Sequence, residues 1–113
     1  MEHESLIESI EAELADAENS RRLGKEGRAR VSARRAAGWA IQYYIEDLLG
    51  KSTKLNAYQL LGWFAEREDV SQDLRRAASR LRVRVTPAGV LPHPQDALQD
   101  AHAIVEAILH RQA

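Results

Sequence analysis

Arginine is the residue of this chain best suited to do chemistry, and it comes in two blocks. Residues 21–35 hold Arg21, Arg22, Lys25, Arg28, Arg30, Arg34 and Arg35 against the single acid Glu26. Residues 75–84 hold Arg75, Arg76, Arg80, Arg82 and Arg84 with no acid. A guanidinium is planar and always charged, and its forked N–H groups match phosphate and carboxylate. Arg30 and Arg34 are four apart and Arg28 and Arg35 seven apart, so on a helix each pair shares a face. Arg28, Arg34, Arg35, Arg82 and Arg84 are therefore the candidate ligand or nucleic-acid residues. The competing arrangement is internal. Residues 1–20 carry seven acids and no Lys or Arg, so the first segment can neutralise the block that follows it.

Other chemistries find little support. The histidines are His3, His93, His102 and His110. A zinc site needs about four ligands. His102 and His110 lie two helical turns apart, with Asp96 and Glu106 as further donors, but no HExxH or close pair occurs. Ser32, Ser52, Ser71 and Ser79 stand in no nucleophile elbow. GKEGR lacks the spacing of a phosphate loop. Glu46–Asp47 and Asp69–Asp73 read as solvated carboxylates. Cysteine is absent, which removes disulfides and thiolate chemistry. No catalytic residue, metal or cofactor is predicted.

The elements that position these residues are helices. The chain has 113 residues, room for one compact domain, and 44% hydrophobic residues, enough for a core. A first helix is predicted over about Ser5–Leu23, with Leu6, Ile10, Leu14 and Ala17 on one face. Gly24 and Gly27 mark a short turn, so a second helix, about Gly27–Leu49, should return antiparallel. Its seam is Ala37, Ile41, Tyr44 and Leu48, and Gly50 should stop it. Gly38 inside it points to close approach by another helix. Tyr43 and Tyr44 cannot share one core face, so one of them suits an interface or a stacked base.

Asn56 should cap a short helix over about Ala57–Arg67, with Leu60, Leu61 and Phe64 inward. Ser71 should cap a fourth over about Gln72–Val83, with Leu74, Ala78 and Leu81 as its seam. TPAGVLPHP, residues 86–94, holds all three prolines and breaks helix. Pro94 suits the first turn of a last helix, about Gln95–Arg111, with the seam Leu98, Ala101, Val105 and Ile108. The expected fold is one all-α domain spanning residues 1–113, an up-and-down helical bundle of four main helices plus one short inserted helix. The acidic start lacks a signal-peptide pattern, and no apolar run reaches the roughly 20 residues that span a bilayer. A cytoplasmic protein with no membrane partner is the expectation.

This order of features resembles the HEPN family, helical domains of many prokaryotic toxin–antitoxin and defence systems. The resemblance runs from about Leu6 to Ile108. It is carried by LGKEGR, by ARRAAGWAIQYYIEDLLG, by VSQDLRRAASRL and, after the proline loop, by QDALQDAHAIVEAILH. Active members of that family carry an arginine followed by a histidine after four to six residues. Here the nearest pair, Arg84 and His93, has eight residues between. Asn56-Ala57-Tyr58 stands where the family's short helix has a histidine. The resemblance thus implies a non-catalytic member. It implies a homodimer, a possible nucleotidyltransferase partner, and RNA or a nucleotide as possible ligands.

Overall fold

A computed structural model describes residues 3–83 and 95–110. Five helices follow in order: α1 (His3–Arg22), α2 (Glu26–Leu49), α3 (Ala57–Ala65), α4 (Gln72–Leu81) and α5 (Ala97–Leu109). No strand occurs among the described residues. The all-α bundle is as predicted. Arg84, His93, Pro94, the rest of the proline loop, Arg111 and the side chain of Leu48 lie outside the described part.

Each helix buries the face that its spacing marks. Leu6, Ile10 and Ala17 of α1, Ala37, Ile41 and Tyr44 of α2, and Leu60, Leu61 and Phe64 of α3 are buried. So are Ala78 and Leu81 of α4 and Leu98, Ala101, Val105 and Ile108 of α5, while Leu14 and Leu74 pack at the edge of this core. α2 packs against α1, α3 and α5, and α5 against α1, α2 and α4. α2, α3, α4 and α5 thus form a ring closed by the α2–α5 contact, and α1 packs on α2 and α5. A helix with three neighbours has little exposed surface, which is why Ala29, Ala33, Ala36, Ala37 and Ala40 are all fully buried.

The turn between α1 and α2 explains their antiparallel packing. Gly24 takes φ +78°, its N–H donates to Arg21 O at 3.0 Å, and the Lys25 N–H donates to Ser20 O at 2.8 Å. These two bonds form a Schellman motif, and only glycine adopts the left-handed position without strain. The chain reverses at once. Ser32 donates to Asp16 and Arg35 faces Glu13, so positions on the two helices pair in opposite directions.

Gly38 is where α2 meets α3. A Cβ there would stand 2.8 Å from Ala57 Cβ and 3.0 Å from Ala57 Cα, inside contact distance. Gly38→Ala gains about 1 kcal/mol of helix propensity. Overpacking against a helix backbone costs about 1–3 kcal/mol. A net loss of about 1 kcal/mol is the expected result, read as a lower urea midpoint at unchanged slope.

Among the boundaries that differ from the prediction, three have a visible local cause. α3 ends at Ala65 rather than Arg67, because Glu66 N–H and Arg67 N–H bond three residues back, to Trp63 O and Phe64 O. Arg67 then grips Asp69 at 2.8 and 2.9 Å, which holds the loop that places buried Val70. α4 ends at Leu81 rather than Val83 through the same tightening, with Val83 N–H on Arg80 O at 3.0 Å. α5 starts at Ala97 because Asp96, in extended backbone, is its N-cap and accepts from Gln99 N–H at 3.3 Å. Asn56 and Ser71 cap α3 and α4 as predicted, Asn56 in a full capping box with Gln59.

Asp96 also joins the largest ion cluster. The Arg21 guanidinium donates to both oxygens of Asp96 at 2.6–2.9 Å and to both oxygens of Glu26 at 2.6–3.0 Å. It therefore ties the end of α1 to the starts of α2 and α5. Its hydrogen bonds hold both carboxyls below their ordinary range, and raise its own pKa. A depressed folded pKa gives stability that is present above the unfolded value and lost as pH falls through the folded one. Arg21→Gln should therefore melt well below wild type at neutral pH. The gap should shrink as pH drops below the ordinary values of 4.5 for Glu26 and 3.8 for Asp96. Thermal melts by circular dichroism at a series of pH values check this; a constant gap would contradict it.

Candidate interaction surfaces

The structure divides the candidate arginines between two places. Arg28 and Arg35 lie on the α1–α2 face. Arg34 and Arg82 lie at the end of α4. The division follows from helix geometry, since neighbours on a helix point about 100° apart. Arg34 and Arg35 therefore leave α2 in different directions.

The α1–α2 face is a groove with unlike walls. α1 supplies Glu13 and Asp16, and α2 supplies Arg28 and Arg35. Val31, Trp39 and Ala12 form its apolar part. Val31 is exposed and Trp39 half-buried. Buried Ser32 donates to Asp16 and, with Arg28 and Arg35 beside it, holds the Asp16 carboxyl below its usual range. The ion pairs here are loose: Arg28 to Asp16 is 3.6 Å and Arg35 to Glu13 is 3.8 Å. The two arginine side chains remain 66% and 61% exposed, so these pairs hold the arginines only weakly. Of the first basic block, Arg28 and Arg35 lie beside acids of α1, while Arg21 and Arg30 pair with Glu26 and Arg34 bonds a carbonyl of α4.

Arg34 has a structural position. Its Nε donates to Leu81 O at 2.8 Å, satisfying a carbonyl in the last turn of α4. Arg82 lies over Tyr58, with its Cζ 4.0 Å from the ring centroid. It covers Gly62, where an added Cβ would stand 2.9 Å from that Cζ. Glycine at that position is what lets the guanidinium lie against α3.

The remaining candidates are placed as follows. Arg80 forms a forked pair with buried Asp100, and Arg30 lies 3.6 Å from Glu26. His102 contacts Glu18 across α5 and α1 at 3.1 Å, and His110 contacts Glu106 at 3.1 Å. Among the described residues no cluster of three or more His, Asp or Glu is placed to hold a metal ion, and no helix is long and apolar enough to cross a membrane. Tyr44 sits in the core, edge-on to Phe64 and Trp63, and Tyr43 is half-buried at its margin.

Sequence reasoning passed over Val31 and Trp39 as surface residues. A signal was available. Arg28, Val31 and Arg35 recur at three and four residues, so an apolar residue sits within a basic ridge.

What the described fold defines is a class, the all-α helical bundle with a charged groove along its two longest helices. Comparison with known proteins goes no further: the chain matches no family model, no curated protein and no solved structure.

Proposed function

We propose that this chain is a non-catalytic, HEPN-like interaction module that acts as a homodimer through its long helices α1 and α2. The observation that carries this reading is the self-complementary charge of the α1–α2 groove. Its acids lie on one wall and its arginines on the other, with Asp16 level with Arg28 and Glu13 level with Arg35. A two-fold axis along the groove sets α1 of each copy against α2 of the other. Each Arg28 and Arg35 then meets the acids of the partner at matching height, and Val31 and Trp39 close over the centre. The product is a four-helix arrangement with a closed, isologous interface. The weak hold of the internal pairs favours such an exchange.

Three carboxylates of the fold are engaged in internal contacts. Asp16 accepts from Ser32, Asp96 caps α5 while gripping Arg21, and Asp100 holds Arg80. Light scattering on the eluted protein tests the reading. The expected mass is twice the 12.7 kDa of one chain. A strict monomer at micromolar concentration would sink it.

A further inference from the structure

A buried hydroxyl ties the two walls of the α1–α2 groove together. Arg28, Ser32, Arg35 and Trp39 stand at four, three and four residues, one stripe of α2, and Glu13 and Asp16 face it from α1. Ser32 is 3% exposed and donates its hydroxyl proton to Oδ2 of Asp16. The charged contacts of the groove are longer. Arg28 Nε stands 3.6 Å from that same oxygen, and Arg35 Nη1 stands 3.8 Å from Glu13 Oε2, both beyond hydrogen-bond reach. Arg80, by contrast, holds Asp100 with two bonds of 2.9 Å. The neighbouring buried positions of α2, Ala29, Ala33 and Ala36, are alanine, the best helix former. Ser32 is a residue of nearly the same size with one oxygen more, and that oxygen goes to Asp16.

Asp16 is thereby fixed and still open. Ser32 and Arg28 both address Oδ2, and among the described residues nothing donates to Oδ1. Its side chain is 34% exposed, against 16% for Glu13, so it is the more accessible acid of the groove. The Ser32 hydrogen bond is the main cause that holds its carboxyl below the usual range, so it stays an anion at neutral pH. A carboxylate already held in one orientation loses less side-chain freedom on meeting a partner.

We infer that Ser32 is a positioning residue of the dimer interface: by holding Oδ2 it presents Oδ1 of Asp16 to the guanidinium of Arg28 in the second copy. This inference rests on the dimer reading proposed above. The two-fold axis of that dimer brings Arg28 of the second copy level with Asp16. The guanidinium is 66% exposed and makes no hydrogen bond to its own Asp16, so it can turn to the other copy's. A charge-assisted hydrogen bond between copies then replaces a contact of 3.6 Å within one. Without the hydroxyl, the Asp16 side chain is free to turn away, and the exchange loses its fixed acceptor.

Sedimentation equilibrium over a concentration series tests this with wild type, Ser32→Ala, Asp16→Ala and the double variant, each checked for intact helical circular dichroism. Ser32→Ala should weaken the dimer roughly tenfold, and Asp16→Ala at least as much. In the Asp16→Ala background, Ser32→Ala should change nothing further, because Ser32 acts through Asp16. A hydroxyl that serves packing alone would weaken the dimer equally in both backgrounds, and that result would overturn the inference. So would a wild-type dimer that Ser32→Ala leaves equally tight, with the dimer reading itself intact. A wild type that stays monomeric at every concentration is the separate outcome that removes the dimer reading and this inference together.

Discussion

Arg80→Met is expected to cost about 3 kcal/mol of folding stability, because it strands a buried carboxylate. Asp100 has a side chain only 9% exposed, on the face of α5 that meets α4. Arg80 meets it with two parallel bonds, Nε to Oδ2 and Nη2 to Oδ1, both 2.9 Å. Methionine keeps much of the packing and removes both donors. For a chain of this size the melting temperature should fall by roughly 12 °C. The reciprocal change is milder. Arg80 is 24% exposed, so Asp100→Asn leaves a cation that water still reaches and an amide oxygen that still accepts. A loss of about 1–2 kcal/mol is expected there. Differential scanning calorimetry reads both. Equal losses would contradict the view that Asp100 is the stranded partner.

Phe64→Ala should cost more, about 4 kcal/mol. Phe64 is 2% exposed and lies edge-on to Tyr44, with centroids 5.9 Å apart and planes at 85°. Tyr44 in turn stacks edge-on to Trp63 at 6.2 Å, and Arg67 lies over Trp63. Removing Phe64 thus takes a large side chain from the α2–α3 contact and leaves Tyr44 without the Phe64 ring beside it. Urea denaturation followed by tryptophan fluorescence measures the loss, and Trp63 reports the disturbed cluster directly. A loss under about 1 kcal/mol would mean that the site collapses to fill the space.

Much of this fold was legible because it is written in local spacing. The seams Leu6–Ile10–Ala17, Ala37–Ile41–Tyr44 and Leu98–Ala101–Val105–Ile108 needed only the period of a helix. The caps at Asn56 and Ser71 are equally local, since each side chain meets an amide three residues on. Gly38 announced a close approach because glycine in mid-helix is costly without a reason. The destinations of the arginines were not legible. Arg34 bonds a carbonyl 47 positions away, and Arg21 bonds Asp96 at 75 positions. Such pairs are set by how helices meet in the bundle, which spacing along one helix does not encode. The same holds for Asp96, whose capping role is local but whose grip on Arg21 is not. The grouping of Arg28, Arg34, Arg35, Arg82 and Arg84 as one candidate set joined residues that the bundle sends to different faces, with Arg84 outside the described part.

In the proposed dimer, two copies exchange charge across the α1–α2 groove. Sedimentation velocity on the wild type and on Arg28→Glu/Arg35→Glu is the direct test. These side chains are mostly exposed, so the double change should leave helical circular dichroism intact. It makes both walls acidic, and like charges across an interface cost several kcal/mol. The wild type should sediment as a dimer and the double variant as a monomer. A double variant that sediments as a dimer, or a wild type that stays monomeric at every concentration, would contradict the account.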